Sequence, residues 1–348
     1  MAWQVIGQPK AVSMLQRGLE TSSLAHAYLF TGPAHVGKMT LALNLAQAVN
    51  CESAEAPFDS AQGKPCGECD SCKKIASGKH ADVQTIVMNG EDSEENRAKI
   101  SVTQIEDLQH SVSLPPFEGK CKVFIIDGAE FLSTGAANRL LKTLEEPVGR
   151  VVFILLTVDE KLMLQTVVSR CQRIELALIP ANRIEAALAE KWAVPPENAK
   201  LLSRLCHGCL GWAVSAARDD NIPGQRDEWL DALLDAIDSG AEERFAYANQ
   251  LANQFGQNRG QVYAKLDLWL DWWRDLLLVK AGLVDGVANV DRLDTLSEMA
   301  DGLSLAQVKA FIKSIRSAAD NLRLNASPRL ALEVLMLDIP EAKNKLVV

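Results

Sequence analysis

One stretch near the start of the chain constrains the fold more than any other. The apolar run 28–30 leads into a loop bounded by Gly32 and Gly37, and Lys38 opens an apolar-periodic segment directly after it. A strand, a glycine-bounded loop and a helix in this order, with the spacing G-x-x-x-x-G-K, indicate a phosphate-binding P-loop. In such a loop, backbone N–H groups and a helix N-terminus hold phosphate oxygens, and the lysine neutralises their charge. The stretch therefore predicts an α/β fold.

Two positions of this P-loop are wrong for efficient ATP hydrolysis. The Ser or Thr that normally follows the lysine and binds Mg²⁺ is replaced by Met39. Thr40 lies one residue late, which places it about 100° further around the helix. His35 stands where such loops often carry a third glycine, which predicts a narrower phosphate cradle. The sequence thus predicts a P-loop fold but leaves nucleotide binding open.

Composition narrows the class of protein. A chain of 348 residues that is 48% hydrophobic and 23% charged can bury a large core and is expected to form two or three domains. We see neither a secretory segment nor an apolar run long enough to span a membrane, so we expect a cytoplasmic protein. The net charge of −9 argues against a surface that binds polyanions all over, so any contact with DNA must be local.

Four of the eight cysteines form a pattern typical of a structural zinc site. Cys66, Cys69 and Cys72 have the spacing C-x₂-C-x₂-C, and Cys51 lies ahead of them, just after the P-loop helix. Four thiolates are the ligands that Zn²⁺ prefers in closed tetrahedral sites, which predicts one Zn²⁺ per chain. An iron–sulfur cluster uses similar spacing but serves redox chemistry that nothing else in the sequence supports. We expect the metal to order an insertion at about 51–72.

Two later strands end in polar residues that a nucleotide site would use. The apolar run 122–127 ends in Asp127, where a P-loop fold places the carboxylate that holds Mg²⁺ through water. Gly128 follows, in the place of the Glu that polarises the attacking water in ATP-hydrolysing proteins. The run 151–157 lacks alternation, as in a strand buried on both faces, and its Thr157 either senses a γ-phosphate or is a satisfied hydroxyl. The candidate nucleotide site comprises Gly32, Gly37, Lys38, Thr40, Asp127 and Thr157.

From residue 180 onward the sequence is almost entirely helical in pattern. Trp269, Trp272 and Trp273 follow helical spacing, which favours a buried stripe over a surface on which bases stack. Cys206 and Cys209 form another C-x₂-C, but no second pair accompanies them, so we expect a structural role for both.

Several motifs, taken in order, resemble those of the bacterial clamp loader subunits, which are AAA+ proteins. The likeness extends over nearly the whole chain and is strongest to the delta-prime type of DNA polymerase III subunit. The segments that carry it are 26–30, the altered P-loop, the cysteine insertion, 127–130 (DGAE), 137–147 (ANRLLKTLEEP), 169–171 (SRC) and 325–333 (NASPRLALE).

The resemblance implies an architecture and a set of partners. It implies an AAA+ P-loop module at 1–178 with a parallel sheet flanked by helices, a small helical lid at 179–225, and an all-α collar at 226–348. The collar would assemble a five-subunit ring with gamma/tau and delta subunits. That ring loads the sliding clamp onto primed DNA with ATP bound in its sister subunits.

The resemblance also implies roles for single residues. Subunits of the delta-prime type typically lack productive ATP hydrolysis, which agrees with Met39 and Gly128, so intrinsic ATPase activity is expected to be absent. Arg170 of the SRC motif would reach the ATP of a neighbouring subunit and stabilise charge at its γ-phosphate, as a trans arginine finger. Where ATP-using members carry a lid arginine, this chain has Gly211.

Two other functions remain as alternatives. The first is an ATP-hydrolysing subunit of the gamma type, in which Thr40 would have to replace Met39 as the Mg²⁺ ligand. The second is a zinc-dependent nucleic-acid binding module, which the acidic net charge disfavours. The sequence does not decide which ring neighbours flank the chain, or whether Arg139 and Lys142 contact DNA.

Overall fold

The chain folds into two compact units. The computed structural model describes residues 3–53, 65–88, 99–146, 149–219, 221–324 and 326–340. The middle of the predicted insertion, Pro147 of the 137–147 motif and Asn325 of the 325–333 motif lie outside these residues. The two units are Met1–Arg183 with Gly208–Trp212, and Ile184–His207 with Ala213–Val348. The division into a module at 1–178, a lid at 179–225 and a collar at 226–348 stays a prediction.

The first unit is built on a five-stranded parallel sheet. Asp127 lies opposite Leu156, and Thr31 lies opposite Thr157, so the carboxyl ends of three strands meet at one edge. This is the edge at which the P-loop begins, and it is where ligands bind in open α/β sheets. The strands are β1 (Ala27–Thr31), β2 (Val83–Ile86), β3 (Lys122–Asp127), β4 (Val151–Thr157) and β5 (Gln172–Glu175), in the spatial order β2-β3-β4-β1-β5.

Helices cover both faces of this sheet. Every residue of β4 is buried, as its unbroken apolar run predicts for a central parallel strand. β3 and β4 have the bounds expected from the sequence, and the predicted class, a parallel sheet flanked by helices, is confirmed. One face packs against α1 (Pro9–Glu20), α2 (Lys38–Asn50) and α3 (Asp70–Ala76), and the other against α4 (Val102–Ser113), α5 (Thr134–Glu145) and α6 (Gln165–Val168).

Serine caps define where two of these helices begin. Ser101 forms a capping box with Gln104 at the start of α4, in which each side chain accepts a hydrogen bond from the other residue's backbone N–H. Ser133 accepts a hydrogen bond from the backbone N–H of Ala136 at the start of α5. Each cap satisfies a donor that the first turn of a helix leaves without a partner.

The described part of the chain beyond residue 180 is helical, as predicted. Trp269, Trp272 and Trp273 are fully buried, so the predicted core stripe is confirmed and these rings offer no surface on which bases could stack. None of the described helices combines the length and the apolar character needed to cross a membrane. The helices are α7 (Ala181–Trp192), α8 (Pro196–Leu205), α9 (Leu210–Arg218), α10 (Asn221–Asp238), α11 (Ala241–Gln257), α12 (Arg259–Lys280), α13 (Leu293–Gly302), α14 (Leu305–Arg323) and α15 (Pro328–Leu337).

A buried carboxylate holds the connection between α4 and β3. Asp82, which precedes β2, is 3% exposed. Its carboxylate accepts hydrogen bonds from the backbone N–H groups of Phe117 (2.8 Å), Glu118 (2.8 Å) and Gly119 (2.7 Å). Burial opposes ionisation of Asp82, but these three N–H groups outweigh it and lower the pKa of the carboxyl.

We expect Asp82→Ala to lower the free energy of unfolding by about 2–3 kcal/mol at neutral pH, because three N–H groups lose a charged acceptor. The pKa of Asp82 is lower in the folded than in the unfolded chain. Its contribution is therefore complete above the unfolded value of about 4 and is lost as the pH falls through the folded pKa. Urea unfolding at neutral and acidic pH measures the difference, with Asp107→Ala, an exposed carboxylate on α4, as the control. A difference that does not shrink toward low pH would contradict this account.

Candidate nucleotide and metal sites

The P-loop lies between β1 and α2 and depends on its first glycine. Gly32 has a φ of +146°, and Gly37, which caps α2, has a φ of +108°. A side chain at position 32 would lie 2.9 Å from the carbonyl oxygen of Leu176. Only glycine therefore fits at the point where the chain leaves β1.

The side chain of Lys38 folds back onto the P-loop, at whose end it lies. It is 9% exposed, and its Nζ donates hydrogen bonds to the carbonyl oxygens of Gly32 (2.6 Å) and Pro33 (2.8 Å). Burial lowers the pKa of Lys38, while the negative charges of Glu130 and Asp127 act in the opposite direction. The predicted site residues Lys38 and Asp127 are therefore brought close enough to interact.

The residues that follow the lysine are poorly suited to holding Mg²⁺. Met39 is partly buried and packs against the core between α2 and the sheet. Thr40 is exposed. Because Met39 offers no oxygen and is used in packing, the position that normally supplies a metal ligand contributes to the fold instead.

His35 and Gly211 are joined by a backbone hydrogen bond. His35 has a φ of +61°, and its carbonyl oxygen accepts a hydrogen bond from the N–H of Gly211 at 2.9 Å. A Cβ atom at position 211 would lie 2.8 Å from that same oxygen. Any side chain at position 211, an arginine included, is therefore incompatible with this contact.

Thr157, at the carboxyl edge of the sheet, forms hydrogen bonds within its own turn. The hydroxyl of Thr157 donates to the carbonyl oxygen of Asp159 (3.1 Å) and accepts from its N–H (3.2 Å). The hydroxyl of Thr157 is therefore satisfied at the end of its strand, and the alternative role, sensing a γ-phosphate, stays a prediction.

Glu130 belongs to this site, although the sequence pattern assigned it no role. It lies in the 3₁₀ turn Ala129–Phe131 after β3, and its charge acts on Lys38. Its Oε1 accepts a hydrogen bond from the N–H of Val158 at 3.4 Å. Its Oε2 is buried without a hydrogen-bond partner among the described residues. The signal in the sequence is an acidic residue three positions after Asp127, within an otherwise apolar turn.

The four predicted cysteines converge at the end of α2 and the start of α3. The Sγ atoms of Cys51, Cys66, Cys69 and Cys72 all lie within 4.8 Å of one another, with 3.9 Å between those of Cys66 and Cys72. The N–H of Cys69 donates to the Sγ of Cys66 (3.4 Å), and the N–H of Cys72 donates to the Sγ of Cys69 (3.5 Å). Zn–S bonds of about 2.3 Å in a tetrahedron place sulfurs about 3.8 Å apart, so the group fits a metal ion such as Zn²⁺.

The protonation chemistry of these thiols also suits a metal. Burial opposes ionisation of Cys66, but the N–H groups of Cys69 and Glu68 help to outweigh it and lower the pKa of that thiol to about 7. Burial raises the pKa of the Cys51 and Cys72 thiols. Four thiolates in this position therefore require a cation, which a divalent metal supplies.

Arg170 lies in the turn between α6 and β5. Its guanidinium donates to the carbonyl oxygen of Thr166 (2.9 Å) and forms an ion pair with Glu145 at the end of α5, while the side chain stays 34% exposed. Arg173 is 54% exposed and pairs with Glu160 at 3.2 Å. The sequence analysis did not predict an ion pair within the chain for Arg170, although Glu145 is part of the 137–147 motif.

The cysteine of the SRC motif has a packing role. Cys171 is partly buried against the core of α4, α5 and the sheet. Burial raises the pKa of its thiol to about 12, so it stays protonated at neutral pH.

The sequence is similar to several subunits of DNA polymerase III. The DNA polymerase III subunit delta' of Bacillus subtilis is 28% identical over 96% of this chain and 96% of its own length. The DNA polymerase III subunit tau of the same organism is 30% identical over 98% of this chain, which spans 62% of that longer protein. Among solved structures, a gamma-subunit-related protein of DNA polymerase III from Thermotoga maritima is 18% identical, with 94% and 98% of the two chains covered and a TM-score of 0.44.

A family model described as DNA polymerase III, delta subunit, matches residues 7–180. The match takes in the P-loop, the cysteine cluster and Arg170. Since it covers half of the 348 residues, this chain belongs to the DNA polymerase III delta subunit family.

Proposed function

We propose that this chain is a delta-prime-type subunit of a bacterial clamp loader, which helps to load the sliding clamp onto primed DNA during replication without hydrolysing ATP itself. Its partners would be gamma/tau and delta subunits in a five-subunit ring. Family membership and the relative that matches along 96% of both chains support this proposal. The observation that carries the non-hydrolysing part is the nucleotide site, where Lys38 bonds its own loop and Met39 packs into the core.

Hydrolysis of ATP needs two groups that this site lacks. Mg²⁺ needs a hydroxyl after the P-loop lysine, and the attacking water needs a base after the strand-end Asp. Met39 and Gly128 occupy these positions. The hydrogen bond between His35 and Gly211 leaves no room for a lid arginine. These substitutions are consistent with a P-loop that is retained because it stabilises the fold and not because it hydrolyses ATP.

The active group that this chain would contribute is Arg170. Its side chain is partly exposed beside β5, an edge strand of the sheet. A guanidinium there can meet the γ-phosphate of ATP bound to a neighbouring subunit and stabilise the negative charge that develops during transfer. The four cysteines would hold one Zn²⁺, which braces the start of α3 and takes no part in that chemistry.

One observation favours a second function, an ATP-hydrolysing subunit of the gamma type. The tau subunit of Bacillus subtilis is as similar over 98% of this chain as the delta' subunit is over 96%. Such a role needs Thr40, which is exposed, to replace Met39 as a Mg²⁺ ligand. The third alternative, a zinc-dependent nucleic-acid binding module, is disfavoured by the net charge of −9.

Hydrolysis by the purified chain separates the first two functions. We expect no Mg²⁺-dependent ATP turnover above background, because the site lacks both the metal ligand and the base. We also expect Lys38→Ala to leave that background unchanged. A colorimetric phosphate assay on the wild-type chain and on Lys38→Ala measures both. Brisk turnover that Lys38→Ala abolishes would establish the gamma-type function instead.

Assembly tests the rest of the proposal. The purified chain, mixed with gamma/tau and delta subunits of the same bacterium, should co-elute with them as one complex in size-exclusion chromatography. Elution of this chain alone, under conditions in which the other subunits associate, would overturn the proposed function.

A further inference from the structure

Glu145 lies where the local energetics of a helix disfavour an acidic side chain. It is the last residue of α5, and Glu146 follows it at the C-cap, so two carboxylates stand at the negative end of the helix dipole. Lys142 is the basic residue of that last turn. The helix by itself gives no reason for a carboxylate at position 145, whereas the ion pair with Arg170 does.

The backbone is fixed on both sides of this ion pair. The Nε2 of His26 donates to the carbonyl oxygen of Leu144 at 2.8 Å, which ties the end of α5 to the start of β1. The N–H of Arg170 donates to the carbonyl oxygen of Val167 at 3.1 Å, and Leu144 and Val167 are both buried in the core. The side chains of the pair are 50% exposed for Glu145 and 34% exposed for Arg170. Their outer ends can therefore change partners without a shift of the backbone.

The guanidinium of Arg170 is attached at two different points. Its Nη1 donates to the carbonyl oxygen of Thr166 in α6 at 2.9 Å, and its Nη2 bonds to Oε1 of Glu145. The contact with Glu145 thus joins one nitrogen to one oxygen, whereas a guanidinium binds carboxylates and phosphates most strongly through two parallel bonds. Thr166 can keep its bond to Nη1 while Nη2 exchanges one anion for another.

The γ-phosphate of ATP and the carboxylate of Glu145 would compete for the same donor. Both are anions, and two anions held on one side of a guanidinium repel each other. A terminal phosphate offers three strong acceptor oxygens and more negative charge than a carboxylate, so it displaces Glu145 when it comes within reach. ADP lacks this phosphate and leaves the ion pair with Glu145 in place.

We infer that Glu145 is the resting partner of Arg170 and releases it when the γ-phosphate of ATP on a neighbouring subunit takes its place. This inference rests on the proposed function, in which Arg170 reaches that ATP. Glu145 acts through Arg170 and is a positioning residue. Because the ion pair must break when ATP binds, Glu145 lowers the affinity for ATP at the site that Arg170 completes.

Nucleotide titration of the assembled loader measures this effect. Glu145→Gln keeps the size of the side chain and removes its charge. A fluorescent, non-hydrolysable ATP analogue should therefore bind about two- to fivefold more tightly at the site that Arg170 completes, the range that corresponds to one exposed ion pair. That site is recognised in the titration because Arg170→Ala weakens it.

Two further measurements separate this role from a merely structural one. Fluorescent ADP should bind to the Glu145→Gln loader with unchanged affinity, because ADP does not break the ion pair. The single-turnover rate at saturating ATP should also stay unchanged, because Arg170 has then left Glu145 in the wild-type chain as well. KM should fall while kcat stays constant.

Two more variants test whether the effect passes through Arg170. Glu146→Gln removes the neighbouring exposed carboxylate, is the matched control, and should leave both affinities unchanged. In the Arg170→Ala background, Glu145→Gln should have no effect, because the group that Glu145 holds is absent.

An unchanged affinity of the Glu145→Gln loader for the ATP analogue would overturn the inference. A weaker affinity or a slower single turnover would also overturn it, since Glu145 would then orient Arg170 for the reaction. The inference fails equally if the effect persists with Arg170→Ala, if Glu146→Gln reproduces it, or if Glu145→Gln does not enter the ring. The proposed function is judged separately, by the entry of the wild-type chain into the ring and by the loss that Arg170→Ala causes. If both hold and Glu145→Gln has no effect, only the inference fails.

Discussion

Replacing Cys69 and Cys72 together with serine should abolish stable zinc binding and lower the free energy of unfolding by about 4 kcal/mol or more, as loss of a structural metal does. The four Sγ atoms lie within 4.8 Å of one another, so two missing ligands leave a site that Zn²⁺ holds weakly. α3 has only seven residues, and Ile75 is its large apolar contact with the core. A helix this short has little stability of its own, so we expect it to depend on the metal.

Metal analysis and urea unfolding measure this effect together. The wild-type chain should carry about one Zn²⁺, as a Cys₄ site does, and the double variant none. Cys209→Ser, which removes a thiol outside the cluster, is the matched control and should retain the ion. Hydrogen exchange of the backbone at 120–121 should also accelerate in the double variant, because Lys120 bonds the carbonyl oxygen of Cys51. A wild-type chain that is purified without metal and is no more stable than the double variant would refute the zinc assignment. Bound iron with visible absorption would instead show that the four cysteines hold an iron–sulfur cluster.

The features that the sequence predicted correctly depend on short-range patterns. β3 and β4 are marked by apolar runs, and each begins and ends where those runs do. The cysteines were recognisable because three of the four ligands lie within seven residues of one another. The tryptophan stripe of α12 follows helical spacing and is buried accordingly. In each case the local pattern and the tertiary packing agree.

The features that the sequence did not reveal join residues far apart in the chain. The resemblance marked Gly211 as the place of an absent arginine, but its hydrogen bond to His35 joins residues separated by about half the length of the chain. Glu145 was part of a recognised motif, yet its pairing with Arg170 depends on how α5 and α6 pack. The bonds from Asp82 to the backbone at 117–119 have no signal in composition or spacing. Contacts of this kind are set by topology, which a single sequence specifies only indirectly.

Arg170→Ala should slow ATP hydrolysis at the neighbouring subunit's site by about 10³-fold, the lower end of the range for arginine fingers. In the free chain Arg170 pairs with Glu145, and both side chains are substantially exposed. An exposed ion pair is worth only about 0.2–1 kcal/mol, so the guanidinium can leave Glu145 for a γ-phosphate at little cost. Because the pair is exposed, Arg170→Ala should change the free energy of unfolding by no more than about 1 kcal/mol.

Single-turnover hydrolysis by the assembled loader separates this contribution from those of the other ATP sites. With Arg170→Ala, the burst of phosphate should lose the amplitude of one site while the remaining sites hydrolyse at their own rates. The steady-state rate of the whole loader should therefore fall by a smaller factor than the rate at that one site. Arg173→Ala, which removes a guanidinium that is 54% exposed three residues away, is the matched control and should leave the burst intact. Arg170→Lys should restore little, because an ammonium cannot bind two phosphate oxygens as a planar guanidinium does. A full burst from a correctly assembled Arg170→Ala ring would show that this arginine only stabilises its own fold, through Thr166 and Glu145.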